Sequence, residues 1–116
     1  MTRRAAKVDA SHAEVRDGLR ALGWSVLDTS AVGGGFPDLV VGVGGQLPPF
    51  APPQLGRGVV CGGDNYFVEV KSKGGKLTED QQELAWTWRG NYIVAETAEE
   101  AAAAIQSLRQ GRGGRR

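Results

Sequence analysis

The sequence predicts a single α/β domain, a mixed central β-sheet flanked by helices in the order α-β-β-β-α-β-α. Three observations predict it. Three Ser/Thr-x-x-Glu/Gln boxes each stand ahead of a helical run, four short apolar or β-branched runs are bounded by turn residues, and the alternation closes in a β-α-β passage. An order that begins with strand pairs and ends in such a crossover makes a sheet of mixed direction.

The first box is Ser11-His12-Ala13-Glu14. Val15, Leu19 and Leu22 follow at helical spacing and Gly23 stops the run, so a helix is expected over about Ser11 to Leu22. Trp24 to Asp28 alternates as a strand, with Trp24, Val26 and Asp28 on one side. Ala31 to Phe36 is a turn carrying Gly33, Gly34 and Gly35, and Asp38 to Val43 is a short β-branched run expected as a buried strand. Residues 44–64 hold four of the five prolines and show no sustained period, which marks an insertion, with Val59-Val60-Cys61 able to extend a hairpin across it. Tyr66 to Lys71 is the third strand, and Lys73 to Leu77 a polar turn. The box Thr78-Glu79-Asp80-Gln81 opens a helix to about Arg89, with Leu84, Ala85 and Trp88 as its core stripe. Tyr92 to Ala95 is the fourth strand, and Thr97-Ala98-Glu99-Glu100 opens an alanine-rich helix through Leu108. Residues 109–116 are expected as a flexible basic tail.

At 116 residues the chain is long enough for one modest core and too short for two. No apolar run approaches the roughly 18 residues that a membrane span needs, and no apolar segment follows the basic Met1-Thr2-Arg3-Arg4, so no secretory signal is expected and a cytoplasmic setting fits. The one cysteine, Cys61, excludes an intrachain disulfide and a cysteine-based zinc site, and is expected as a small residue in a loop or strand. A net charge of +1 argues against nucleic-acid binding by bulk charge. Basic residues nonetheless cluster at Arg3, Arg4 and Lys7, at Lys71, Lys73 and Lys76, and at Arg109, Arg112, Arg115 and Arg116, where they can meet phosphates or simply be solvated.

Chemistry points to the third strand. In Phe67-Val68-Glu69-Val70-Lys71 alternation projects Glu69 and Lys71 together, away from Val68 and Val70. The bland reading is a surface ion pair on an edge strand. Pro37-Asp38, however, lies where the glycine turn enters the second strand. If the second and third strands are neighbours, Asp38 lies opposite Glu69 or Lys71, and two carboxylates and an ammonium converge. Hard oxygen ligands of this kind suit Mg²⁺ and a phosphate substrate. With one histidine and one cysteine in the chain, no Ser-His or Cys-His constellation competes.

Pro37-Asp38 followed by Glu69-Val70-Lys71 resembles the PD-(D/E)xK nuclease superfamily. The surrounding Gly-Gly-Phe-Pro-Asp-Leu-Val-Val and Phe-Val-Glu-Val-Lys-Ser-Lys-Gly-Gly-Lys-Leu-Thr-Glu-Asp-Gln are similar to its VRR-NUC branch, near the Holliday-junction resolvases, over roughly Ser11 to Ile105. The resemblance implies a restriction-endonuclease-like fold and a Mg²⁺- or Mn²⁺-dependent endodeoxyribonuclease, with branched, flap or plain duplex DNA left open as substrate. It implies Asp38, Glu69 and the Val70 carbonyl as metal ligands, Lys71 as the catalytic lysine, and Gln81 as a helix glutamine near the attacking water. Gln81 also fits as the N3 partner of the Thr78 cap. Glu14 matches a first-helix acid that joins the metal site in some relatives, although its spacing to Ser11 favours a cap. His12 is expected as a solvated helix-start residue rather than a base. Lys73 and Lys76 are expected to hold DNA phosphates. A junction resolvase needs a second copy to cut symmetrically, so a homodimer is expected, and the resemblance suggests a phage or mobile-element protein acting in the host cytoplasm. The alternative is a non-enzymatic DNA-binding accessory protein that keeps the nuclease fold.

Overall fold

The computed structural model describes residues 2–45 and 62–114, with side chains from 11 to 45 and from 62 to 111. Most of the 44–64 insertion, including Val59-Val60-Cys61, lies outside the described residues, as do the side chains of Arg3, Arg4, Lys7 and Arg112 and the whole of Arg115 and Arg116. Among the described residues the chain is mixed α/β, with three helices and one four-stranded sheet: α1 (Thr2–Ala21), β1 (Ser25–Asp28), β2 (Leu39–Val43), β3 (Asp64–Val70), α2 (Glu79–Thr87), β4 (Asn91–Ala95) and α3 (Ala98–Gly114). The sheet order is β1-β2-β3-β4, antiparallel across the first three strands and parallel between β3 and β4. No helix among the described residues is long and apolar enough to cross a membrane.

Alternation decides which face is which. In β2, Leu39, Val41 and Val43 are buried while Val40 and Gly42 are half-buried; in β3, Tyr66, Val68 and Val70 share the buried face. Ile93 and Ala95 of β4 continue that face, and Val15 and Leu19 of α1 with Ala101 and Ile105 of α3 close over it. Each fully buried aliphatic side chain here contributes about 1.5–3 kcal/mol relative to exposure. The other face carries Phe67, Glu69, Tyr92 and Val94, and α2 lies over part of it.

Three elements differ from their expected form. Helix α1 starts at Thr2, not Ser11, so Ser11 is half-buried in mid-helix and caps nothing. The Arg, Ala and Lys residues ahead of it are good helix formers without an intervening proline or glycine, and they carry the helix through the local cap signal. Its end is as expected: Gly23, at φ +89°, donates to the Arg20 carbonyl at 2.9 Å, a left-handed stop that leaves Leu22 exposed. Helix α2 buries no residue fully; Leu84 and Ala85 are half-buried and Trp88 is exposed, so the expected core stripe is only a partial cover. Helix α3 runs past Leu108 through Gly114, held in part by Arg109, whose Nη1 donates to the Val43 carbonyl (3.2 Å) and pairs with Asp64 Oδ2 (3.1 Å).

Candidate active site

Asp38 stands one residue ahead of β2. Leu39 pairs with Val68 in the antiparallel register, so the next position outward sets Asp38 opposite Glu69. Its backbone is held from the β1 side: the Thr29 N–H donates to the Asp38 carbonyl and the Thr29 hydroxyl to the Pro37 carbonyl, both at 2.8 Å. The preceding glycines all take positive φ, and Gly35 (φ +86°) lies so close to α2 that a Cβ there would come within 2.7 Å of Asp80 Cβ. Only glycine lets this turn pass beneath the start of α2.

The Asp38 carboxylate reaches across to β3, where Oδ2 accepts the Val70 N–H at 2.8 Å. The N–H and C=O of one strand residue leave on the same side, so the Val70 carbonyl also faces Asp38. Glu69 is 2% exposed. Its Oε2 accepts from Gln81 Nε2 at 2.9 Å and lies 3.6 Å from Lys71 Nζ, whereas Oε1 is buried with no hydrogen-bond partner among the described residues. Burial, and next the neighbouring charge of Asp38, push Glu69 up to about 8, with Lys71 offsetting only part of that.

Gln81 performs both expected roles at once. Its Oε1 accepts the Thr78 N–H at 2.9 Å while Thr78 Oγ1 accepts the Gln81 N–H at 3.2 Å, completing the capping box of α2. Because Oε1 serves the cap, the amide nitrogen is the end left to donate to Glu69. The cap therefore fixes the orientation of a side chain in the site.

Asp38, Glu69, Lys71, Gln81 and the Val70 carbonyl are brought together; Glu14 is not. It is exposed on α1, on the opposite face of the sheet, and with Ser11 in mid-helix it has no cap to serve. Lys73 and Lys76 are exposed in the turn after Lys71. His12, far from being solvated, is 6% exposed, with Nε2 3.0 Å from Asp28 Oδ2; Arg16 Nη1 reaches the same oxygen at 3.2 Å. A groove of about 410 Å³ between Trp24, Gly44 and Asp64 lies at the other end of the sheet. The acid pair, not that groove, concentrates the chemistry.

Tyr92 was not foreseen. Paired with Phe67 across the parallel ladder, it shares the acidic face, and an aromatic row of Phe36, Phe67 and Trp88 adjoins it, Phe67 and Trp88 stacked at 4.5 Å between centroids. Burial first, then the charges of Glu69 and Asp38, raise its phenol to about 12. In sequence Tyr92 is an ordinary strand aromatic, and only the β3–β4 register reveals where it faces.

Among the described residues no cluster of three or more His, Cys, Asp or Glu side chains forms a metal-binding group. The donor set is smaller: two carboxylates, one with a buried oxygen that no described residue donates to, beside a main-chain carbonyl. That set fits Mg²⁺ or Mn²⁺, which take one or two carboxylates and draw their other ligands from water and substrate. The chain matches no protein-family model, no curated protein and no solved structure.

Proposed function

We propose that this chain is a metal-dependent endodeoxyribonuclease of the PD-(D/E)xK type, with a restriction-endonuclease-like fold and kinship to the VRR-NUC and junction-resolvase branch. The observation that carries the reading is Glu69, a buried carboxylate set against that of Asp38, with one oxygen engaged by Gln81 and Lys71 and the other without a hydrogen-bond donor among the described residues. Two acids are held together at a cost that the protein's own lysine only partly relieves. A divalent cation would relieve it.

Asp38, Glu69 and the Val70 carbonyl would hold the cation, which when bound lowers the pKa of a water and offsets charge on the phosphate. Asp38 is pre-positioned for this by the Val70 N–H, and Glu69 by Gln81. Lys71, with its ammonium 3.6 Å from Glu69 Oε2 and its side chain 16% exposed, is placed to orient the attacking water or to hold a non-bridging phosphate oxygen. Lys73 and Lys76, exposed just beyond, would contact the DNA backbone with an affinity that falls as salt rises. Flap or junction DNA is the favoured substrate class and a homodimer the acting form, both on the strength of the resemblance.

The test is cleavage of a panel of branched, single-stranded and duplex DNAs with Mg²⁺ and with Mn²⁺. Lys71→Ala is expected to lower the rate by on the order of 10²–10³-fold, as loss of a charge-stabilising donor does, with DNA binding retained. Equal nicking by wild type and variant overturns the assignment of Lys71. Gel-shift affinity with no metal-stimulated product from the wild type makes the chain a DNA-binding accessory protein instead.

A further inference from the structure

The ring of Tyr92 packs edge-on against Phe67, 6.3 Å between centroids, on the face that carries Glu69. Its hydroxyl is buried without a hydrogen-bond partner among the described residues. A buried hydroxyl left unpaired is unfavourable, a cost that phenylalanine would avoid while keeping the ring contact. Glu69 Oε1 is a second buried polar atom in the same condition on the same face. The two are complementary, since a phenol donates and a carboxyl oxygen accepts. A phenol ordinarily ionises only at about pH 10, so the hydroxyl is a donor at neutral pH.

We propose that Tyr92 is a positioning residue of the cation site: its hydroxyl donates to Glu69 Oε1 through one bridging water and orients that carboxylate to take a divalent cation together with Asp38. The proposal rests on reading the acid pair as a metal centre. Gln81 and Lys71 hold one oxygen of Glu69, and Tyr92 would steady the other, leaving a lone pair for the cation. Partners that orient a ligand in this way typically account for about 10–100-fold in metal affinity or activity.

Tyr92→Phe removes the hydroxyl and nothing else. Calorimetric titration of the intact protein with Mn²⁺ is expected to give a Kd about 10–100-fold weaker for the variant, with a metal-free melting temperature equal to or above that of the wild type. In cleavage assays kcat should fall at limiting Mn²⁺ and recover in excess, with KM for DNA unchanged. A Kd within twofold of wild type, whether or not the melting temperature falls, marks a merely structural hydroxyl and overturns the proposal. A wild type that binds no Mn²⁺ overturns both the cation site and the role of Tyr92. A wild type that binds Mn²⁺, shows the expected difference from Tyr92→Phe, and cuts no DNA removes the nuclease function while the Tyr92 assignment stands.

Discussion

Two acidic clusters lie at the same end of the sheet, on opposite faces, and their charges are settled in opposite ways. On the core face, Asp28 is surrounded by donors: the Ser30 hydroxyl and N–H reach Oδ1 at 2.7 and 3.1 Å, while His12 and Arg16 approach Oδ2. The hydrogen bond from the Ser30 hydroxyl, ahead of the contributions of the Ser30 N–H and His12, drives Asp28 well below the usual carboxylate range. On the other face Asp38 and Glu69 are set side by side, and Glu69 moves the other way. The first cluster gathers donors around its acid and fastens α1 to β1, with His12 Nε2 close to Asp28 at 3.0 Å but outside hydrogen-bond geometry. The second leaves its balance open, which is what a binding centre requires and a structural ion pair avoids.

The sharpest way to break this comparison is to neutralise one member of each cluster. Asp38→Asn keeps an oxygen for the Val70 N–H and deletes the charge beside Glu69. Cleavage should fall by on the order of 10³-fold or more, about 4 kcal/mol of barrier, while the metal-free melting temperature rises, because a like-charge contact is gone. A variant that loses activity by unfolding shows instead that the pair is structural.

Asp28→Asn should do the reverse. It strips His12 and Arg16 of their anion, an exposed pairing worth up to about 1 kcal/mol, and lowers the melting temperature by a few degrees at this chain size. Folded protein at low temperature should still cut DNA. Loss of cleavage at unchanged stability would make the Asp28 cluster part of the site and erase the distinction between the faces.

How much of this is legible in the sequence follows the range of the interactions. Asp38 facing Glu69 or Lys71 requires only two neighbouring strand runs and their parity; the register of Leu39 on Val68 then selects Glu69. The Thr78–Gln81 box is likewise local, a matter of three-residue spacing. Its second bond, to Glu69, depends on α2 lying across the sheet, which only the resemblance suggested. Tyr92 depends on the register of β4 against β3, which local pattern does not encode; His12 lies three and seven residues before Val15 and Leu19, on their buried stripe, and the expected helix start at Ser11 obscured it. Ser11 misleads because a cap box is a weak local preference that the helix formers upstream of it outweigh. In α2 the spacing of Leu84, Ala85 and Trp88 marks an apolar side correctly but says nothing of how much is covered, and coverage is partial because this helix shares its face with the acid pair.

A further expected effect, and the one that reads both clusters at once, is the dependence of metal-free stability on pH. Glu69 has a folded pKa of about 8 against an ordinary value of 4.5. Between those values the folded state holds a proton that the unfolded chain has lost, so stability falls as pH rises through that window and levels off above it. Asp28 is depressed below its ordinary 3.8, so its contribution is present above that pH and is lost on further acidification. The metal-free melting temperature should therefore peak between roughly pH 4 and 5 as far as these two groups decide it. Glu69→Gln should flatten the alkaline arm and leave the acid arm, and Asp28→Asn should do the converse. Mn²⁺, which competes with the proton for the acid pair, should lift the alkaline arm in the wild type but not in Glu69→Gln. An alkaline arm that persists in Glu69→Gln would mean that the proton is held elsewhere, and the two faces would then no longer differ in the way their acids are paired.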